Sequence, residues 1–383
     1  MRQFINAKED MVTEAIDGAI AASGGTLTRL DGYPHIRVVV RTDWDKSKVA
    51  LVTGGGSGHE PAHVGFVGQG MLAAAVCGDV FASPSADAVL AGILAVTGSA
   101  GCLLIVKNYT GDRLNFGLAA ERARAFGLNV FMVIVDDDVA LPELPQARGL
   151  AGTLFVHKIA GAMAENGATL EDCAAVAMRV VASSRSIGMS LDTCTVPGAI
   201  KEDRIPDGMV ELGLGIHGEA GVEQVAAGGA KDAIAKVSEK LVATMSAKPH
   251  VALINNLGGS SVLEMSILTS AFVASPLGAL TELMVGPDAM MTAIDMHGFS
   301  ISVMELASGD DALLTQPVDC PGWPGCHRVT KSNVLPLPDG LSPIRAPASA
   351  HAKTQAFLTG CCEVLIASEQ DLNLLDAKSG DGD

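Results

Sequence analysis

The sequence predicts an α/β protein: two α/β domains with largely parallel sheets, then a proline-rich linker and the opening of an all-α piece. Three observations predict it. Apolar residues make up 48% of the 383-residue chain while aromatics supply only 4%, and 43 glycines accompany them. That balance suits tight-turned layers packed with Ala, Val, Leu and Ile. Short apolar runs repeatedly end in polar glycine loops with helical patterns between them, as parallel βαβ units require. The length leaves room for two cores or slightly more.

The elements follow in order. The opening MRQFINAKEDMV carries Lys8, Glu9 and Asp10 where an export signal would be apolar, so a cytoplasmic protein is expected. In the first domain, residues 1–194, Lys48 to Thr53 leads into GGGSGHEP, Cys102 to Val106 into KNYTGDRLNF, and Asn129 to Val135 into Asp136, Asp137 and Asp138. Ala88 to Val106 runs nineteen residues without a charge, near the length that spans a bilayer. Its interior TGSAG divides it instead into a helix, capped by Ser83 with Pro84 in the first turn, and a doubly buried strand. Ligands of such sheets sit beyond the carboxyl ends of the strands, so the glycine loop and the KNYTGD loop are expected to share one mouth.

The second domain, residues 195–334, begins near Thr195 to Gly198. Val210 to Ile216 leads into HGEAG, a helical pattern covers Ala230 to Met245, Val251 to Ile254 leads into NNLGG, and Met291 to Val303 is expected to add a strand pair. Residues 335–350 contain LPLPDGLSPIRAPAS, a linker by composition. Residues 351–383 hold a helical stretch, Lys353 to Leu375, and end in AKSGDGD, too little to bury a core of their own.

Charge and cysteine usage exclude several classes. A formal net charge of -17 argues against a nucleic-acid footprint, which needs a basic face, and nothing in the chain argues for a membrane. Lys107, Arg113 or backbone amides can still meet a small anion locally. The eight cysteines follow no stapled pattern and read as reduced core thiols. Cys320, Cys326 and His327 invite a metal, but no second pair follows, and the segment between the cysteines holds two prolines and a Trp.

Three elements could carry chemistry. The Gly54 to Glu60 loop fails both standard phosphate fingerprints: no Lys-Ser/Thr pair follows, and the third glycine of GxGxxG falls on His59. It offers close backbone approach to a small ligand with an imidazole at the rim, or simply a strand-to-helix turn. Asp112, just past a buried strand and five residues after Lys107, is either a helix N-cap or a base that takes a hydroxyl proton. Asp136 to Asp138 are expected to be a solvated turn. His217, amid Gly213, Gly215, Gly218 and Gly221, is an imidazole on a loop with unusual backbone angles, either structural or a nucleophile.

GGGSGHEPAHVGFVGQGMLAAAVCGDVFASPS, KNYTGDRLNFGLA, AGTLFVHKIAGA, LGLGIHGEAG and INNLGG, in that order, closely resemble the K domain of the dihydroxyacetone (glycerone) kinases, from about Phe4 to about Leu335. The tail LNLLDAKSGDGD resembles the start of that family's nucleotide-binding L domain, and K, linker and L in one chain is the arrangement of the ATP-dependent type. The resemblance implies that His217 adds to the ketone carbon to give a hemiaminal, that His59 assists, and that Asp112 takes the proton of the hydroxyl to be phosphorylated. It also implies substrate contacts at Gly55, Gly56, Ser57 and Lys107, magnesium and ATP held through Asp376, Asp381 and Asp383, and a homodimer. The L domain is expected to be incomplete here and to be supplied in cis or in trans. Ala220 stands where the pattern has proline, and Ser379 where it has an apolar residue. Two other implied readings are a triose-sensing subunit without turnover, and a related activity on erythrulose or FAD.

Overall fold

The computed structural model describes residues 3–142, 146–330, 333–340 and 350–379. Met1–Thr330 and Lys331–Asp383 form separate units and are taken in turn.

The first unit opens with helix α1 (Met11–Ala22), strands β1 (Leu27–Arg29), β2 (Val38–Arg41), β3 (Ala50–Ser57) and β4 (Ala74–Val80), then α2 (Ala86–Val96), β5 (Cys102–Lys107), α3 (Thr110–Ala125), β6 (Val130–Val135), α4 (Thr153–Glu165) and α5 (Leu170–Ser183). The sheet order is β1-β2-β4-β3-β5-β6. β4, β3, β5 and β6 run parallel, and β1 and β2 add an antiparallel edge. β5 carries the reason. CLLIVK is buried along its whole length; Leu103 and Ile105 pack with α4 and α5, while Cys102, Leu104 and Val106 pack with α2 and α3. Each large apolar side chain buried this way contributes about 1.5–3 kcal/mol. The two-residue period carries Lys107, the last residue of β5, onto the α4 face. α2 is capped by Ser85, whose side chain accepts from Ala88 N, rather than by Ser83 as expected; Ser83 faces Asn115 instead.

The second sheet uses β7 (Ser184–Ser190), β8 (Met209–Leu212), β9 (Glu223–Ala226), α6 (Ala230–Val242), β10 (His250–Asn256), α7 (Val262–Val273), α8 (Pro276–Ala279), β11 (Thr281–Asp288), β12 (Gly298–Glu305), α9 (Asp310–Thr315) and β13 (Cys326–Arg328), in the order β13-β11-β10-β12-β7-β8-β9. The α/β class holds in both sheets, but the expectation of largely parallel sheets is corrected in this one. Only β10 and β11 pair in parallel. Parallel neighbours need a long crossover, and among neighbouring strands here only β10 and β11 are joined through helices. β7 starts at Ser184, so the second sheet begins ahead of the boundary expected at 194/195. Met291 to Val303 gives one strand, β12, preceded by a loop that enters the site described below.

In the second unit, α10 (Ala352–Ala367) and α11 (Glu369–Ser379) occupy the stretch expected to be helical, and α10 buries none of its residues. Among the described residues no helix is long and apolar enough to cross a membrane.

Candidate active site

The glycine loop closes β3 in the first sheet. A Cβ on Gly56 would lie 2.6 Å from Ala82 N, and one on Gly55, whose φ is +152°, would lie 3.1 Å from Lys107 Nζ and 3.7 Å from Asp112 Oδ2. Only glycine brings this backbone so close to both charged groups. The Ser57 hydroxyl donates to Gly78 O at 2.9 Å. That bond ties β3 to the end of β4.

Lys107 and Asp112 come from the next strand and helix. Asp112 is not the N-cap of α3; that position is Tyr109, with no side-chain cap bond. The Asp112 carboxyl lies in the first helical turn, 4% exposed, and its Oδ1 has no hydrogen-bond partner among the described residues. An orphaned buried carboxylate oxygen at a strand's carboxyl end fits a base awaiting a hydroxyl proton. Lys107 is fully buried; burial lowers its pKa, and Asp112 and Asp137 push it back up.

His59 is also fully buried. Its Nδ1 lies 2.7 Å from Thr292 O, and since a carbonyl only accepts, the proton is on Nδ1 and Nε2 keeps its lone pair. Burial, then the charges of Lys107 and His217, hold its pKa well below the usual value against the Thr292 hydrogen bond, so the ring is neutral at pH 7. Nε2 has no hydrogen-bond partner among the described residues.

His217 arrives from the second sheet on the loop after β8. Its ring meets those of His59 at 4.9 Å, Tyr109 at 4.4 Å and Phe81 at 5.4 Å, edge-on in each case. Nδ1 lies 3.1 Å from Glu219 Oε1, and the His217 backbone N–H donates to Glu219 Oε2 at 3.0 Å. The carboxylate accepts from Nδ1, which directs the Nε2 lone pair outward as a nucleophile. Burial pushes Glu219 up, but the His217 hydrogen bond and charge outweigh it and bring its pKa down to about 2. A Cβ on Gly215 would lie 2.0 Å from Glu219 Oε2, so the loop closes on its glutamate only with glycine there. Gly215 N–H still reaches Glu219 O at 3.0 Å with Ala220 in place of proline.

Of the aspartates after β6, Asp136 is exposed as a solvated turn requires, but Asp137 and Asp138 are buried and correct that expectation. Asp137 is 1% exposed and accepts from Leu150 N at 2.7 Å, Gly152 N at 2.8 Å and the Ser186 hydroxyl. Burial raises its pKa to about 6 against those hydrogen bonds. Asp138 pairs with Arg148 Nε at 2.6 Å, and Arg148 Nη2 donates to Gly213 O at 2.6 Å. This buried pair braces the His217 loop.

The sequence-predicted residues thus converge: Gly55, Gly56, Lys107 and Asp112 from the first sheet, with His59 and His217 facing each other across the mouth. Sequence reasoning missed Glu219, Tyr109, Phe81 and Thr292. Glu219 had a signal, two residues after His217, whereas Thr292 reaches the site only through the fold. Of the proposed magnesium ligands, Asp376 lies in α11, and Asp381 and Asp383 lie outside the described residues. Among the described residues, no group of three or more His, Cys, Asp and Glu is placed to hold a metal ion. An apolar cavity of about 280 Å³ lies elsewhere, lined by residues such as Val210, Ile267 and Phe299. It holds none of the converging groups, so chemistry rather than volume locates the site.

Residues 17–322 match the Dak1 domain family. The chain is 46% identical over 393 residues to the dihydroxyacetone kinase of Citrobacter freundii, covering 99% of this chain and 69% of that protein. It is 39% identical over 336 residues to a dihydroxyacetone-binding subunit DhaK of a PTS-dependent kinase from Listeria innocua, covering 84% and 100%. The crystal structure of the C. freundii kinase in complex with AMP-PNP and Mg2+ superposes with a TM-score of 0.87 at 45% identity, over 100% of this chain and 72% of that one. On the match across Dak1 and these relatives, the chain belongs to the dihydroxyacetone kinase family.

Proposed function

We propose that this chain binds dihydroxyacetone, or a similar short ketose, covalently on His217 and readies its terminal hydroxyl for phosphorylation. The observation that carries this is the pair of imidazoles 4.9 Å apart, each with Nδ1 engaged by an acceptor, so that each Nε2 keeps a lone pair. The His217 Nε2 lone pair attacks the ketone carbon and the carbonyl π pair moves to oxygen. That oxygen takes up one proton from solvent, while the ring, now carrying the positive charge, keeps its Nδ1 proton hydrogen-bonded to the Glu219 carboxylate, so the adduct gains one proton. The new hydroxyl donates to His59 Nε2. Asp112 then accepts the proton of the terminal hydroxyl as its oxygen attacks phosphorus. Bound ATP and magnesium would supply the phosphoryl group from an L domain, in cis or in trans, whose opening we assign to residues 351–383. A homodimer is part of the same reading and is checked by light scattering.

The kinase is favoured over a sensor because Asp112 keeps a buried carboxyl oxygen, Oδ1, without a hydrogen-bond partner among the described residues, as a base for a hydroxyl proton requires. The test is carbon-13 NMR with dihydroxyacetone labelled at the carbonyl carbon. The wild type should convert the carbonyl signal of bound ligand to a tetrahedral-carbon signal, and His217→Ala should not. Asp112→Asn should keep the adduct but lose phosphoryl transfer when a complete L domain and ATP-Mg are added. An adduct that persists in His217→Ala removes the nucleophile, and undiminished transfer in Asp112→Asn removes the base.

A further inference from the structure

Behind the glycine loop lies a polar cluster that this reading leaves without a task. His63, four residues after His59, is buried, and its Nε2 stands 3.0 Å from Lys107 Nζ. Its Nδ1 has no hydrogen-bond partner among the described residues, and its ring meets that of His157 edge-on at 5.4 Å. His157, on α4, is fully buried, and neither ring nitrogen is hydrogen-bonded to any of the described residues. Three ionisable side chains from three elements form a buried row that ends at the amine beside Asp112.

We propose that His63 is a positioning residue for Lys107: it accepts a hydrogen bond at Nε2 and so holds the ammonium beside Gly55 and Asp112, where a substrate hydroxyl is met. The inference rests on the proposed function for its substrate but not for its geometry. An ammonium only donates, so the 3.0 Å contact requires the lone pair on Nε2 and the proton on Nδ1. Lys107 is faced by His59 and His63 from the glycine-loop segment, Asp112 from α3, Asp137 from beyond β6 and His157 from α4. Burial drives Lys107 toward its neutral form, and the two aspartates oppose this. Burial and the Lys107 charge keep His63 and His157 neutral. A neutral acceptor in that row favours the charged lysine, and the His157 ring limits how far the His63 ring can tilt.

Nitrogen-15 NMR of the full chain at neutral pH should find His63 as the Nδ1–H tautomer; an Nε2–H tautomer overturns the proposal whatever any variant does. Calorimetric titration with dihydroxyacetone then compares wild type, His63→Phe and His63→Gln. His63→Phe should weaken binding about 10- to 100-fold, the size of one hydrogen bond to a charged group. It should also move the loss of binding at alkaline pH to lower pH. His63→Gln, which restores an acceptor near the Nε2 position, should recover most of both. A folded His63→Phe with wild-type affinity and pH profile, or a Gln variant as weak as Phe, also overturns it. Should the wild type bind no dihydroxyacetone, the proposed function fails, and the tautomer alone decides this inference.

Discussion

Replacing Glu219 by Gln isolates what the carboxylate does for His217. The two side chains have nearly the same shape, but Glu219 meets two donors, the imidazole Nδ1 at 3.1 Å and the His217 backbone N–H at 3.0 Å. Gln has one oxygen for the two. If the oxygen stays on the backbone N–H, the amide nitrogen faces Nδ1 and drives the ring proton to Nε2, which removes the nucleophilic lone pair. If the oxygen turns to Nδ1, the amide nitrogen opposes the backbone N–H. Either way a charge-assisted hydrogen bond is lost or becomes neutral, a difference of about 1–2 kcal/mol, or roughly a 5- to 30-fold loss of adduct stability. With the Glu219 pKa held down to about 2, the carboxylate is ionised throughout the neutral range, so the deficit should not vary between pH 6 and pH 8. The assay is the bound tetrahedral-carbon signal as a function of ketose concentration, with thermal melts to verify folding. Wild-type adduct formation in Glu219→Gln, or a deficit that vanishes as pH rises, refutes the reasoning.

Gly55→Ala places a methyl 3.1 Å from Lys107 Nζ on a backbone with φ +152°; the strain should lower stability by about 1–3 kcal/mol and weaken dihydroxyacetone binding, as urea titration and calorimetry would report, and an Ala variant equal to wild type in both denies the close packing. His157 has its pKa lowered from 6.5 to about 3 by burial and then by the Lys107 charge. Below pH 6.5 the unfolded chain takes up a proton that the native ring refuses, so stability is lost as pH falls toward 3, on the order of 5 kcal/mol over that window at about 1.4 kcal/mol per unit. His157→Phe should flatten that slope and become the more stable of the two, relative to its own value at pH 7, by about 2 kcal/mol at pH 5. Parallel urea titrations at the two pH values decide it, and equal slopes would show that the buried ring does not titrate this way.

How much of this was legible in the sequence depends on how far apart the deciding residues lie. β3, β5 and β6 announced themselves because a parallel strand buried on both faces is a continuous apolar run with a glycine or polar stop. His59, Lys107 and Asp112 stood at those stops and His217 at the end of the run Val210 to Ile216, and the family motifs around them did the rest. The strands of the second sheet were visible as runs but their antiparallel pairing was hidden, since β7 pairs with β12 and β10 with β12 through contacts far apart in the chain that local periodicity does not encode. Asp137 and Asp138 misled for the same reason. An acidic run looks solvated until Leu150 N, Gly152 N, Ser186 and Arg148 are brought around it. His63 was visible as a second histidine in HEPAHVG, but its meaning required Lys107 and His157 beside it.

The two sheets are joined at the point where their chemistry meets. Thr292 N donates to His59 O at 3.2 Å, Ile294 N to Gly58 O at 2.9 Å, and the Thr292 hydroxyl to Glu60 O at 2.9 Å, while Thr292 O holds His59 Nδ1. The loop before β12 is therefore stitched to the glycine loop after β3, and the imidazole from one sheet is oriented by a carbonyl from the other. His217 is braced separately, through Glu219 and through Arg148 on Gly213. A ring pair held from both sides at 4.9 Å loses little further freedom on binding, so more of the binding energy is left for forming the bond to carbon. On the proposed function, such a site would distinguish ligands by reactivity and not by hydroxyl contacts alone: glycerol could meet Lys107 and Asp112 much as a triose does, but without a carbonyl it would offer the His217 lone pair nothing to attack. Loosening the stitch, as Thr292→Gly would by removing the hydroxyl bond and adding backbone freedom, should therefore cost ketone binding while leaving the weak contact with glycerol unchanged.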